Sequence, residues 1–125
     1  MIRLIKYAVM LASILLSSIA GQELDNAKIE ISPATPTAGD HISAKISGTW
    51  RNGCTPRNPQ ITKQDGNKFR INTSSPDGIC TQALTRWSYV LDLNKLEAAT
   101  YQVIVVNESS GRQVELGRRS FTVRR

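Results

Sequence analysis

The groups in this chain with chemistry to offer are few: two cysteines, one histidine and two tryptophans among 125 residues. Two thiols with no histidine cluster beside them do not make a zinc site. The single histidine, His41, follows Asp40 and falls in the outward phase of an alternating segment, where an imidazole faces solvent rather than serving as a general base. No Gly-x-Ser-x-Gly elbow, phosphate loop or paired-histidine motif occurs. Asp65-Gly66-Asn67 and Asp77-Gly78 lack the spacing of an oxygen-ligand calcium loop and read as turns. Catalysis needs titratable groups that converge, so the expectation is a chain that is not an enzyme and takes no cofactor.

What the cysteines do depends on where the chain goes. Residues 1–20 have the three parts of a secretory signal: basic Arg3 and Lys6, an apolar centre from Tyr7 to Leu16, and small Ser18 and Ala20 before a cut at Gly21. The apolar run is broken at Ser13, Ser17 and Ser18, short of the roughly 18–20 residues that span a bilayer. The expected mature chain, 21–125, is therefore secreted or periplasmic and carries no membrane span. Its net charge falls from +6 to +4 with the loss of Arg3 and Lys6. An oxidising compartment allows Cys54 and Cys80, 26 positions apart, to pair. The loop-entropy account values such a closure at about 3 to 3.5 kcal/mol.

The mature chain is long enough for one small core and too short for a multidomain enzyme. Ala27, Ile29 and Ile31 alternate with polar residues, as do Ile42, Ala44, Ile46, Gly48 and Trp50 on one face of a second run. Pro33, Pro36 and Gly39 separate the two. Residues 51–59 hold Gly53, Cys54, Pro56 and Pro59 and read as an irregular loop. Ile61 starts a short strand, Asp65-Gly66 a tight turn, and Phe69 with Ile71 a return strand. Asn72 to Gly78 reads as a polar loop. Trp87, Tyr89, Leu91 and Leu93 share one face of the next run, and Tyr101, Val103 and Val105 the next, with Ile104 and Val106 opposite. Asn107 to Arg112 reads as a turn. In the last segment the phase slips at Gly117, which predicts a bulge in an edge strand. Both tryptophans share faces with aliphatic neighbours and are expected in the core. Such spacing, with no credible helix, describes an all-β sandwich.

Several of these segments resemble secreted bacterial immunoglobulin-like domains. Pro33 to Trp50 is similar to their first two strands, Leu96 before Tyr101-x-Val103-x-Val105 to their corner and sixth strand, and Phe121-Thr122-Val123 to their last. The resemblance implies an immunoglobulin-like antiparallel β-sandwich of about seven strands over 21–125, with Tyr101 as a structural corner whose hydroxyl bonds back to nearby backbone. The chain departs from antibody-type domains in placing Val103 where their second cysteine stands. The resemblance bears on fold and leaves function open.

If the strands carrying Phe69, Tyr101 and Phe121 form one sheet, its outer face presents Lys68, Arg70, Ile104, Val106, Arg118 and Arg124. An apolar stripe flanked by cations suits an anionic partner, although charged outer strands also block sheet-to-sheet association. The expected function is thus a secreted or periplasmic non-catalytic binding module, for a secreted or envelope protein or an anionic envelope polymer, working through its loops or this basic face. The rival is an inhibitor of an extracellular enzyme acting through the disulfide-braced loop 51–59. Nucleic acid is not expected as a partner. Asn72-Thr73-Ser74 and Asn107-Glu108-Ser109 match the glycosylation acceptor pattern, in a chain of otherwise bacterial character.

Overall fold

Period-two alternation lays down seven strands: β1 Lys28–Ser32, β2 His41–Trp50, β3 Arg57–Gln64, β4 Lys68–Ser74, β5 Thr85–Lys95, β6 Ala99–Ser109 and β7 Arg112–Val123. The computed structural model describes residues 25–125, so the expected signal over 1–20 lies outside it. One sheet has the order β1-β2-β5 and the other β3-β4-β6-β7. Ile42, Ala44, Ile46 and Trp50 face Phe69, Ile71, Val103, Val105 and Phe121 across the core, with Trp87 and Leu93 beside them. The molecule is an all-β sandwich with one disulfide, Cys54–Cys80.

One pairing differs from an antiparallel arrangement: β4 and β6 run parallel, Phe69 against Val103 and Ile71 against Val105. The cause is connectivity. After β4 the chain crosses to the other sheet to form β5, and only then returns as β6 beside β4.

Three strand limits also differ from the sequence expectation. The irregular loop ends at Pro56, and β3 begins with Arg57 and includes Pro59, which an edge strand tolerates. β4 extends to Ser74 and β6 to Ser109, through residues polar enough to read as loops. Their inward-facing polar groups satisfy one another: the Thr73 hydroxyl bonds Asn107 Oδ1 at 2.9 Å and the Val106 carbonyl at 3.1 Å, and Asn107 Nδ2 donates to Ser75 Oγ at 3.0 Å. A buried polar network closes this end of the core because every member finds a partner.

The expected slip in β7 is present: the register shifts where Val105 and Val106 meet Gly117 and Glu115. The bulge at Gly117 lets Ala27 come close enough to donate its amide to the Leu116 carbonyl at 2.9 Å. A Cβ on Gly117 would lie 2.6 Å from the Ala27 oxygen, so only glycine fits. Further along, Arg119 Nη1 donates to the Ile29 carbonyl at 2.8 Å, and Arg124 exchanges backbone bonds with Pro36 and Ala38. The sandwich is closed along the side where β1 meets β7. Along the other side, β3 and β5 share no backbone pairing.

Candidate functional site at the stapled end

Two loops meet beyond the buried network, 51–56 and 75–84, joined by Cys54–Cys80 with Cα atoms 5.5 Å apart. The first is the brace. Asn52 Oδ1 accepts the Cys54 amide at 2.9 Å, and the Tyr89 hydroxyl donates to the Pro56 carbonyl at 2.8 Å. Pro56 is fully buried. Arg51 pairs with Asp25 and lays its guanidinium 5.0 Å from the centre of the Trp50 ring, fixing the start of the loop. Gly53 donates to the Thr81 carbonyl at 2.9 Å, so backbone as well as sulfur ties the two loops together.

The second loop points outward. Its base is held by Ser75, whose amide donates to the Glu108 carbonyl at 2.9 Å, and by Asp77, whose carboxylate accepts the Ser110 hydroxyl at 2.9 Å. Gly78 then takes φ +113°, a conformation open to glycine, and the chain turns. The turn throws the Ile79 side chain clear of the protein, at 105% relative exposure, immediately before the stapled Cys80. Leu84, at 64%, ends the loop. Between the loops and the β6–β7 turn lies a shallow depression of about 170 Å³ beside Trp50, Pro76 and the disulfide.

The loop 51–59 that the rival reading needs as its outward, rigid element is in the structure a packed brace at 51–56 and strand at 57–59, and the outward element is 75–84. The signal that could have shown this is Ile79 itself, an isolated aliphatic residue among Asp77, Gly78 and Cys80 with no alternating partners. Chemically this end offers an apolar side chain and a ring of paired polar groups.

Five of the six residues expected on the basic face, Lys68, Arg70, Ile104, Val106 and Arg118, lie in the sheet β3-β4-β6-β7, and Arg124 follows one residue after the end of β7, bridged to Thr37. Arg70, Ile104 and Arg118 stand in one cross-strand row. Both guanidinium groups already have partners: Arg70 donates to Asn72 Oδ1 and Gln113 Oε1, both at 2.9 Å, and Arg118 forms an ion pair with Glu115. That pair holds the Glu115 carboxyl below, and the Arg118 guanidinium above, its ordinary range. Val106 is only 8% exposed and Ile104 half-buried, so the apolar stripe is narrow. Lys68 and Arg124 remain exposed. Tyr101 donates its hydroxyl to the Glu97 carbonyl at 2.8 Å, forming a corner between β5 and β6. His41 is exposed and stands 2.7 Å from Asp92. Asn107 of the second glycosylation triplet is buried, and Asn72 of the first is held by Arg70. Among the described residues no three metal-ligating side chains cluster, and no helix is long and apolar enough to cross a membrane.

Comparison with known proteins supplies a family. No curated protein and no solved structure matches the chain. Residues 44–116, from within β2 to the β7 bulge and including both cysteines and both stapled loops, match the ORF11 beta-sandwich domain. On that match the chain belongs to the ORF11 beta-sandwich domain family.

Proposed function

We propose that this protein is an exported, non-catalytic binding module that engages a protein partner through the stapled loop 75–84, with Ile79 as its anchor. The observation that carries the reading is a fully exposed isoleucine on a loop fixed by a disulfide and by backbone hydrogen bonds at Ser75 before it and Thr81 after it. Burying such a side chain in a partner contributes about 1.5–3 kcal/mol. A loop already held in place loses little entropy on binding, so more of that energy appears as affinity. Export is supported by the signal-like leader and by the disulfide, which persists in oxidising compartments. The immunoglobulin-like kinship is supported by the Tyr101 corner, while the parallel β4–β6 pair departs from it.

A photo-crosslinking residue at position 79, in the exporting host, should yield one discrete adduct that the same group at exposed Lys63 on β3 does not. Ile79→Asp should abolish binding to the adduct partner while leaving the fold intact. Equal adducts from both positions, or none from 79, reject the reading. Binding that survives Ile79→Asp but is lost when Lys68, Arg70, Arg118 and Arg124 are neutralised together would move the site to the sheet face and favour an anionic polymer. An enzyme as the crosslinked partner, inhibited by the wild type and not by Ile79→Asp, would make the module an inhibitor.

A further inference from the structure

A sheet edge with unpaired backbone groups invites another strand, and folds defend such edges with charge, proline, bulges or coverage. Three of the four edges here are defended. β1 and β7 are tied to each other by the Ala27–Leu116 and Arg119–Ile29 hydrogen bonds. β3 carries Arg57, Pro59 and Lys63, and its register breaks between Arg57 and Gln60. β5 has none of these over its central stretch. Trp87-Ser88-Tyr89-Val90-Leu91 contains no charge, proline or glycine, pairs regularly with β2 on one side, and among the described residues meets no strand on the other. Two of the four exposed large hydrophobic residues among the described residues lie here, Val90 at 68% and Leu84 just before the strand.

We infer that this edge is the dimer interface of the protein: β5 pairs antiparallel with β5 of a second copy, Tyr89 facing Tyr89 on the two-fold axis, to make one six-stranded sheet. The register follows from symmetry and charge. Two identical antiparallel strands must place residues of like parity opposite each other, because side chains facing one way and backbone groups facing the partner both recur every second residue. The central choices put Ser88, Tyr89 or Val90 on the axis. With Tyr89 there, Arg86 of each copy meets Asp92 of the other, Ser88 meets Val90, and Trp87 meets Leu91; neither alternative pairs opposite charges. Both partners are available. Arg86 is exposed and makes no ion pair among the described residues, while Asp92 uses Oδ1 for the Asn94 amide and His41, leaving Oδ2 without a partner among them. The interface is small and isologous, which implies a dissociation constant in the micromolar range.

Sedimentation of the protein purified from an exporting host, across about 1–500 µM, should show a monomer–dimer equilibrium. Arg86→Asp alone places aspartates against Asp92, and Asp92→Arg alone places arginines against Arg86; each should weaken the dimer by at least about tenfold. An equimolar mixture of the two variants restores both attractive pairs, so heterodimers should form at the wild-type affinity, which also shows that both variants are folded. A wild type that stays monomeric throughout overturns the inference, leaving the edge to another segment or protein. Dimers indifferent to the single reversals place the contact elsewhere, and a mixture that stays monomeric rejects the register.

Discussion

Gly53 lies flat against Thr81: its amide donates to the Thr81 carbonyl at 2.9 Å, and a methyl group at position 53 would collide with the Thr81 hydroxyl, well inside the 3.0 Å that Cβ contacts keep. The brace and the outward loop therefore approach each other as backbone on backbone, and the disulfide one residue away clamps a contact already made. Gly53→Ala must push the loops apart or rotate the threonine. A cost of about 1–3 kcal/mol is expected, read as a lower denaturant midpoint. Thr81→Ala in the same chain removes the worst of the collision and should recover most of it. A midpoint unmoved by Gly53→Ala would show the loops to be less closely joined.

The end of the core rests on polar groups. Thr73 gives its hydroxyl to Val106 and Asn107, and Asn107 in turn bonds Ser75, all within the buried layer. Thr73→Val keeps the shape and leaves the Asn107 oxygen without its partner, at a cost of about 1–3 kcal/mol. Thr73→Ser keeps the hydroxyl and should cost much less. A valine variant as stable as the wild type, or a serine variant that loses as much as the valine one, would deny the hydroxyl the leading share.

That network marks the line between what the sequence revealed and what it hid. Where one face of a strand is apolar, as in Ile42 to Trp50 or Trp87 to Leu93, alternation alone identified the strand and its buried side. The phase slip at Gly117 likewise located the β7 bulge. Asn72–Ser74 and Asn107–Ser109 are strand residues that satisfy one another across the sheet, and each segment read alone has the composition of a loop. The same holds at the site: Cys54 and Cys80 identified the staple, but which loop packs and which projects depends on Tyr89 reaching Pro56 from another sheet. The parallel direction of β4 against β6 left no local trace, because it is set by the path of the intervening β5.

Tyr101 combines two contributions that substitution can separate. Its hydroxyl bonds the Glu97 carbonyl, and its ring stacks on Phe121 with centroids 5.6 Å apart. Tyr101→Phe should cost about 1 kcal/mol through the lost corner bond alone. Tyr101→Ala also opens a cavity between Phe69 and Phe121 and should cost about 3–5 kcal/mol. Thermal unfolding of the two variants separates the terms, and a phenylalanine variant as stable as the wild type would leave the corner bond without net effect.

Acid should loosen the turn that holds β7 in place. Asp40 accepts the Thr37 amide and the Thr37 hydroxyl, each at 2.9 Å, and the amide bond first, then the hydroxyl, keep its carboxyl below the usual carboxylate range. Thr37 in turn sits in a bridge with Arg124 at the end of the last strand. Glu30 beside Lys28, Asp92 beneath the Asn94 amide, and Glu115 beside Arg118 are lowered in the same direction. A carboxyl whose folded pKa lies below its unfolded value contributes stability that is fully present above the unfolded value, about 4, and lost as the pH falls through the folded one. The thermal midpoint should therefore be level from pH 7 down to about 5 with respect to these groups and decline below about 4. Glu30, Asp92 and Glu115 are exposed and Asp40 is half-buried, so solvent screening keeps each contribution small. Asp40→Asn removes one titrating group and should make the decline shallower. A midpoint that rises on acidification below about 4, or an asparagine variant that declines as steeply as the wild type, would remove Asp40 from the acid response.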